Sequence, residues 1–158
     1  MVDVTTIQSG TVFAWFMLTM VLRRVVMLVV AGVAARGKPT PPGRVPEDYR
    51  TKRKSVGTPI QNRFTKDVRV NKTITNDSEN DTYFLILLLA TAVFSDTNNG
   101  NVIRTIVYGA IYLFARICYA IAYIMGWQPW RSLFFALGLA CTLACSLDLV
   151  ITMSRRSN

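Results

Sequence analysis

Three stretches of this chain are apolar over a length that a soluble domain seldom needs. Residues 12–35, 102–127 and 130–153 run for 24, 26 and 24 positions with few charges. About 20 such residues cross a bilayer core as a helix. Only helices and closed barrels satisfy the backbone there, so the runs predict membrane-spanning helices. A fourth apolar core, residues 83–94, is too short alone. Its helix is expected to begin near Thr73, giving a span over 74–95. The polar side chains of its early turns must then face a bundle interior or water. The expected fold is all-α, an integral membrane four-helix bundle forming one domain over residues 1–158. A hydrophobic content of 51% and a mean hydropathy of +0.31 agree with that class.

Charge sets the orientation. The net charge is +9, and 11 of the 18 basic residues lie between positions 36 and 72, beside three acidic ones. Basic chains often bind nucleic acid. Here the charge sits between apolar spans, which points instead to an anionic membrane surface or a small anionic ligand, with no nucleic acid. The positive-inside rule makes loop 36–72 cytosolic. The loop 95–101 has no basic residue and is expected on the other side, while Gly126-Trp-Gln-Pro-Trp130 reads as a tight cytosolic turn. Sequons begin at Asn71, Asn76 and Asn80, and this topology leaves them unglycosylated. The N-terminus lacks the basic n-region of a secretory signal, so the first span is expected to be retained. Cys118, Cys141 and Cys145 fall within apolar runs with no histidine in the chain. They read as packing residues, with no metal site and no disulfide framework.

Arg116 lies deep in the third span, where an arginine costs roughly 2.5–3.5 kcal/mol on insertion scales and is rarely idle. Tyr108, Tyr112, Arg116, Tyr119 and Tyr123 recur at helical spacing and form one polar seam. On this topology four helices deliver polar groups to one depth. They are Arg36 from the first, Asn76 and Glu79 from the second, Tyr119 and Tyr123 from the third, and Arg131 with Ser132 from the fourth. A simpler alternative is headgroup contact with a buried Arg116–Glu79 pair. Arginines, a glutamate, an asparagine and tyrosines suit a small peptide anion, with carboxylates for the arginines and an amine for the glutamate. A thiol on that ligand would become a thiolate beside an arginine, a hydroxyl and a helix N-terminus, which describes Arg131 and Ser132. Arg23 and Arg24 point about 100° apart on the first helix, so at least one must face an internal cavity.

Four patches resemble the membrane-associated proteins in eicosanoid and glutathione metabolism (MAPEG), and most closely the microsomal glutathione transferase branch. Val45-Pro-Glu-Asp48 resembles an Asn-Pro-Glu-Asp in the family's cytosolic loop. Asn76-Asp-Ser-Glu-Asn80 is similar to Asn-Asp-x-Glu-Asn. Ala115-Arg-Ile-Cys-Tyr-Ala-Ile-Ala-Tyr123 resembles Ala-Arg-x-x-His-x-x-Ala-Tyr, with Tyr119 in place of the histidine. Arg131-Ser132 resembles the Arg-Ser or Arg-Ala that opens the fourth helix. The opening Met-Val-Asp is also similar.

The resemblance implies a homotrimer with glutathione as co-substrate, bound between subunits near the cytosolic face. It implies a transferase or peroxidase that acts on lipophilic electrophiles or lipid hydroperoxides drawn from membrane lipid. Arg36, Lys72, Asn76, Glu79, Arg116, Tyr119 and Tyr123 look like glutathione contacts. Arg131 looks like the thiolate-stabilising residue, with Ser132 assisting and Asp48 matching a polar residue near the thiol. The endoplasmic reticulum is the expected membrane, with the mitochondrial outer membrane as a second location. Lys72, Ile74 and Thr75 replace more basic residues of the family pattern. Thr75 stands where the prostaglandin E synthase branch favours arginine, which ranks that activity second. A non-catalytic lipid-presenting scaffold of the same fold and a small four-span channel or junction protein are the other readings.

Overall fold

The computed structural model describes residues 8–34, 66–94 and 100–156. These form four helices: α1 (Ser9–Ala34), α2 (Lys66–Phe94), α3 (Gly100–Met125) and α4 (Gln128–Arg156). Among the described residues there is no strand. The helices alternate in direction. Ser9 Oγ donates to the carbonyl of Ala92 at 3.0 Å, so the start of α1 meets the end of α2. Arg24 Nη1 reaches the carbonyl of Ile74 at 3.0 Å nearer the opposite end. α2 and α3 pack against each other and against both outer helices, while α1 and α4 do not touch. The result is an all-α membrane bundle.

α1, α3 and α4 are each long and apolar enough to cross a membrane. Most of their large apolar side chains face outward, including Leu22, Val26 and Val29 on α1 and Leu139, Leu143 and Leu147 on α4. In a bilayer that surface meets lipid tails. The span boundaries expected from hydropathy lie within a few residues of the helices, with one exception. α2 starts at Lys66 and not near 74, so residues 66–72, expected in the basic loop, are helical. The reason is packing: Val70 is buried and joins Met27, Ile74 and Ala120 in one apolar cluster. That contact extends the helix two turns beyond where hydropathy ends. All three sequon asparagines lie inside α2.

α2 does not itself qualify as an apolar span, and two devices let it pack inward. Its hydroxyls close on their own helix. Thr73, Thr75, Ser78, Thr82 and Thr91 each donate to the carbonyl four residues earlier at 2.8–3.1 Å. Its inward charges are paired. Arg23 meets both Asp77, at 3.2 Å, and Asp81. Arg116 meets Asp77 at 2.7 Å and Asp81 at 3.5 Å, and Tyr112 Oη donates to Asp81 at 2.9 Å. Two arginines and two aspartates thus cancel within the bundle.

Below this network Met20, Phe84, Leu88, Tyr112, Cys141 and Cys145 form the apolar core. The Phe84 and Tyr112 rings stack with centroids 3.8 Å apart. Gly109 lets α1 close on α3, since a Cβ there would sit 3.0 Å from a Phe16 ring carbon. Gly109→Val should therefore lower stability by about 1–3 kcal/mol through overpacking. Thermal unfolding in detergent measures this, and adding Phe16→Ala should recover part of the loss.

Candidate functional site

The α3–α4 junction builds one wall of the site. α3 stops at Met125 and Gly126 takes φ +79°, the left-handed region that favours glycine. Gly126 N–H donates to Tyr123 O at 3.2 Å and Trp127 N–H to Ala122 O at 2.9 Å. These are the two bonds of a Schellman cap. The chain reverses and α4 begins at Gln128, with Pro129 in its first turn where no backbone donor is needed. Arg131 and Ser132 follow immediately. They face the end of α3 and the early turns of α2.

Between these elements lies an open cavity of about 540 Å³. Small-ligand pockets span about 300–1,000 Å³. α2 contributes Lys72, Thr75, Asn76 and Glu79 to its lining. α3 contributes Tyr119 and Tyr123, and α4 contributes Arg131, Ser132 and Phe135. Seven residues expected from sequence at the site thus meet around one space. Arg36 and Asp48, also expected there, lie outside the described residues. Phe135 was missed, because an apolar side chain four positions after Arg131 looks like lipid-facing surface. Its ring packs 6.0 Å from that of Tyr119 and floors the cavity.

The site is preorganised from behind. Arg131 lies over the Tyr123 ring at 5.0 Å, a cation–π contact that fixes the guanidinium at the rim. Tyr119 stands between Tyr123 and the buried Arg116, whose guanidinium is 5.1 Å from its ring. Arg116 itself does not line the cavity. It is 1% exposed and sits one layer beneath. Its Nη2 donates to Asn76 Oδ1 at 3.0 Å, to Asn76 O at 3.2 Å and to Asp77 Oδ1 at 2.7 Å. With Oδ1 held by a cation, the Asn76 amide group is left to donate into the cavity.

Arg116 pairs with Asp77 and Asp81, and the alternative Arg116–Glu79 pair does not form. Glu79 lies two residues past Asp77, roughly 200° around the helix, and faces the cavity. Asp77, Asp81 and Arg23 are therefore the residues that sequence reasoning missed as supports. The signal was present. Positions 70, 74, 77, 81, 84 and 88 of α2 follow core spacing, and two of them are aspartates. Arg23 is the first-helix arginine that turns inward, while Arg24 reaches a backbone carbonyl.

A family model described as the MAPEG family matches residues 11–151. The chain belongs to the MAPEG family. Membership and the three apolar helices make it an integral membrane protein of the class that works in eicosanoid and glutathione metabolism. Comparison with curated proteins and with solved structures gives no match. The cavity of this MAPEG chain opens at the joint end of α2, α3 and α4, and no metal-ligating cluster of three or more such residues occurs among the described residues.

Proposed function

We propose that this MAPEG protein is a membrane glutathione transferase with peroxidase capacity, and that the 540 Å³ cavity holds glutathione. The observation that carries the reading is the meeting of Arg131 and Ser132, at the start of a helix, with Asn76, Glu79 and Lys72 across one space. Glu79 accepts from the ligand's ammonium group. Lys72 and the Asn76 amide take its carboxylate and carbonyl oxygens. Arg131, Ser132 and the α4 dipole stabilise the thiolate, lowering a thiol pKa that is about 8.5 when free. Arg36 and Asp48 belong to the same proposed site from the adjoining loop.

The thiolate sulfur gives its electron pair to an electrophilic carbon, forming a C–S bond as the leaving group departs. With a lipid hydroperoxide it attacks the peroxide oxygen, releasing the lipid alcohol. The resulting sulfenic acid then condenses with a second glutathione to give the disulfide and water. The lipophilic partner arrives sideways from the bilayer. A homotrimer fits the exposed side of α2, where Thr75, Ser78, Glu79 and Thr82 share a face that lipid would not tolerate. A neighbouring subunit covers it. On this reading the basic loop lies on the cytosolic face of the endoplasmic reticulum membrane, and the cavity mouth opens to the cytosol, where glutathione is plentiful.

The test is spectroscopic. Glutathione added to the purified protein in detergent should raise the ultraviolet thiolate band in saturable fashion at neutral pH. Asn76→Ala should raise the glutathione concentration needed by about tenfold, the weight of one well-placed hydrogen bond in a partly dry site. A flat spectrum together with no turnover of a model electrophile would sink the reading.

A further inference from the structure

Beside the main cavity lies a smaller one of about 160 Å³, and the two share Lys72, Tyr123 and Arg131 as a common wall. Its other walls are Val68 and Arg69 from α2, Gly126 from the turn and Gln128, the first residue of α4. Three of these side chains are cations, and no carboxylate lines the space. Among the described residues none of Arg69, Lys72 and Arg131 has an acidic partner. Arg69 and Arg131 are half-buried, so their mutual repulsion is only partly screened. The first turn of α4 adds the positive end of its dipole to the same wall.

The turn is shaped around Arg69. A Cβ on Gly126 would lie 2.2 Å from Arg69 Nη1 and 3.1 Å from Cζ. Gly126 thus does two things, adopting the left-handed conformation and leaving room for a guanidinium to lie across the backbone. We propose that this annex is an oxyanion subsite, taking a carboxylate, sulfate or phosphate group between Arg69, Lys72 and Arg131. Its volume is about that of five water molecules, which fits one such group and excludes a whole organic ligand. Arg69 is the residue that distinguishes the annex from the main cavity. The oxyanion comes either from a ligand in the main cavity or from a lipid headgroup at the membrane surface. This inference rests on the cations and the cavity, not on the identity of the thiol ligand.

Trp127 and Trp130 bracket Gln128 and Pro129 and supply the readout. Sodium sulfate titrated into the protein in neutral detergent, against sodium chloride at matched ionic strength, should change their fluorescence saturably. Arg69→Gln should raise the sulfate dissociation constant about tenfold or more, the loss of one charge-assisted hydrogen bond. Arg69→Lys should keep part of the affinity. Gly126→Ala should weaken sulfate binding similarly by displacing the guanidinium, with circular dichroism verifying the helices. Displacement of sulfate by glutathione assigns the occupant to the main-cavity ligand. Displacement by phosphatidic acid in mixed micelles, but not by phosphatidylcholine, assigns it to a headgroup. A sulfate response no different from chloride, or unchanged affinity in Arg69→Gln, overturns the proposal. Sulfate binding without a glutathione thiolate band would leave the annex standing and remove only the transferase reading.

Discussion

Arg131→Ala is expected to lower turnover of a model electrophile about 10²–10³-fold, the usual cost of removing one preorganised donor from a reacting anion. The loss should fall on kcat more than on the KM for glutathione. Lys72, Asn76 and Glu79 line the part of the cavity proposed to take the peptide ends, and the substitution leaves them in place. The pH profile gives a sharper test. A cation beside the thiol favours its ionised form, so removing Arg131 raises the thiol pKa toward the free value of about 8.5. Activity of the variant should therefore be most depressed near neutral pH and recover as pH rises through that range. Arg131→Lys keeps a charge but loses the planar contact with Tyr123, 5.0 Å away, and should fall between the two. Ser132→Ala should cost less, since an uncharged hydroxyl supplies one weaker hydrogen bond. Equal pH profiles for wild type and Arg131→Ala would move the thiolate elsewhere in the cavity.

Asp77→Leu should be the most damaging single change to the fold. Asp77 bridges Arg23 on α1 and Arg116 on α3; Asp77 and Arg116 are buried and Arg23 is partly buried. Breaking a buried pair by removing one partner costs about 3–5 kcal/mol, because the remaining charge is left uncompensated. Here Asp81 would remain to serve two arginines. Against a total stability of roughly 5–15 kcal/mol for an ordinary domain, that loss is large. The expected result is poor recovery in the membrane fraction or a collapse of the thermal midpoint in detergent. Removing a balanced pair should be far milder. Arg23→Met with Asp81→Leu deletes one charge of each sign and leaves Arg116–Asp77 intact. An Asp77→Leu protein as stable as wild type would show the network to be dispensable.

The predictability of this fold from sequence follows the solvent. α1, α3 and α4 are long apolar runs, and the bilayer gives such runs one structural solution, so their helices were legible to within a few residues. α2 was half legible. Its apolar core at 83–94 is plain, but its first turns are held by Val70 packing on Met27 and by hydroxyls bonding to their own helix, neither of which raises hydropathy. The site was legible where chemistry and spacing coincide, as with Asn76 and Glu79 on one face of α2 and Arg131-Ser132 after a proline turn. Arg116 carried the opposite lesson. Its cost in a membrane marked it as important, but the structure separates it from the cavity surface by one side chain. It orders Asn76 and Tyr119 from behind, a role that no linear spacing reveals.

The charge network also bears on how the chain is made. Synthesis delivers Arg23 and Arg24 long before their partners, since Asp77 lies 54 positions after Arg23. During that interval α1 presents two arginines to the translocon with nothing to neutralise them, each costing roughly 2.5–3.5 kcal/mol at mid-bilayer. Entry of α1 and α2 as a paired hairpin would remove that cost for Arg23, because Asp77 and Asp81 arrive with the second helix; a nascent chain cut before Asp77 is expected to insert α1 less completely than one that includes it.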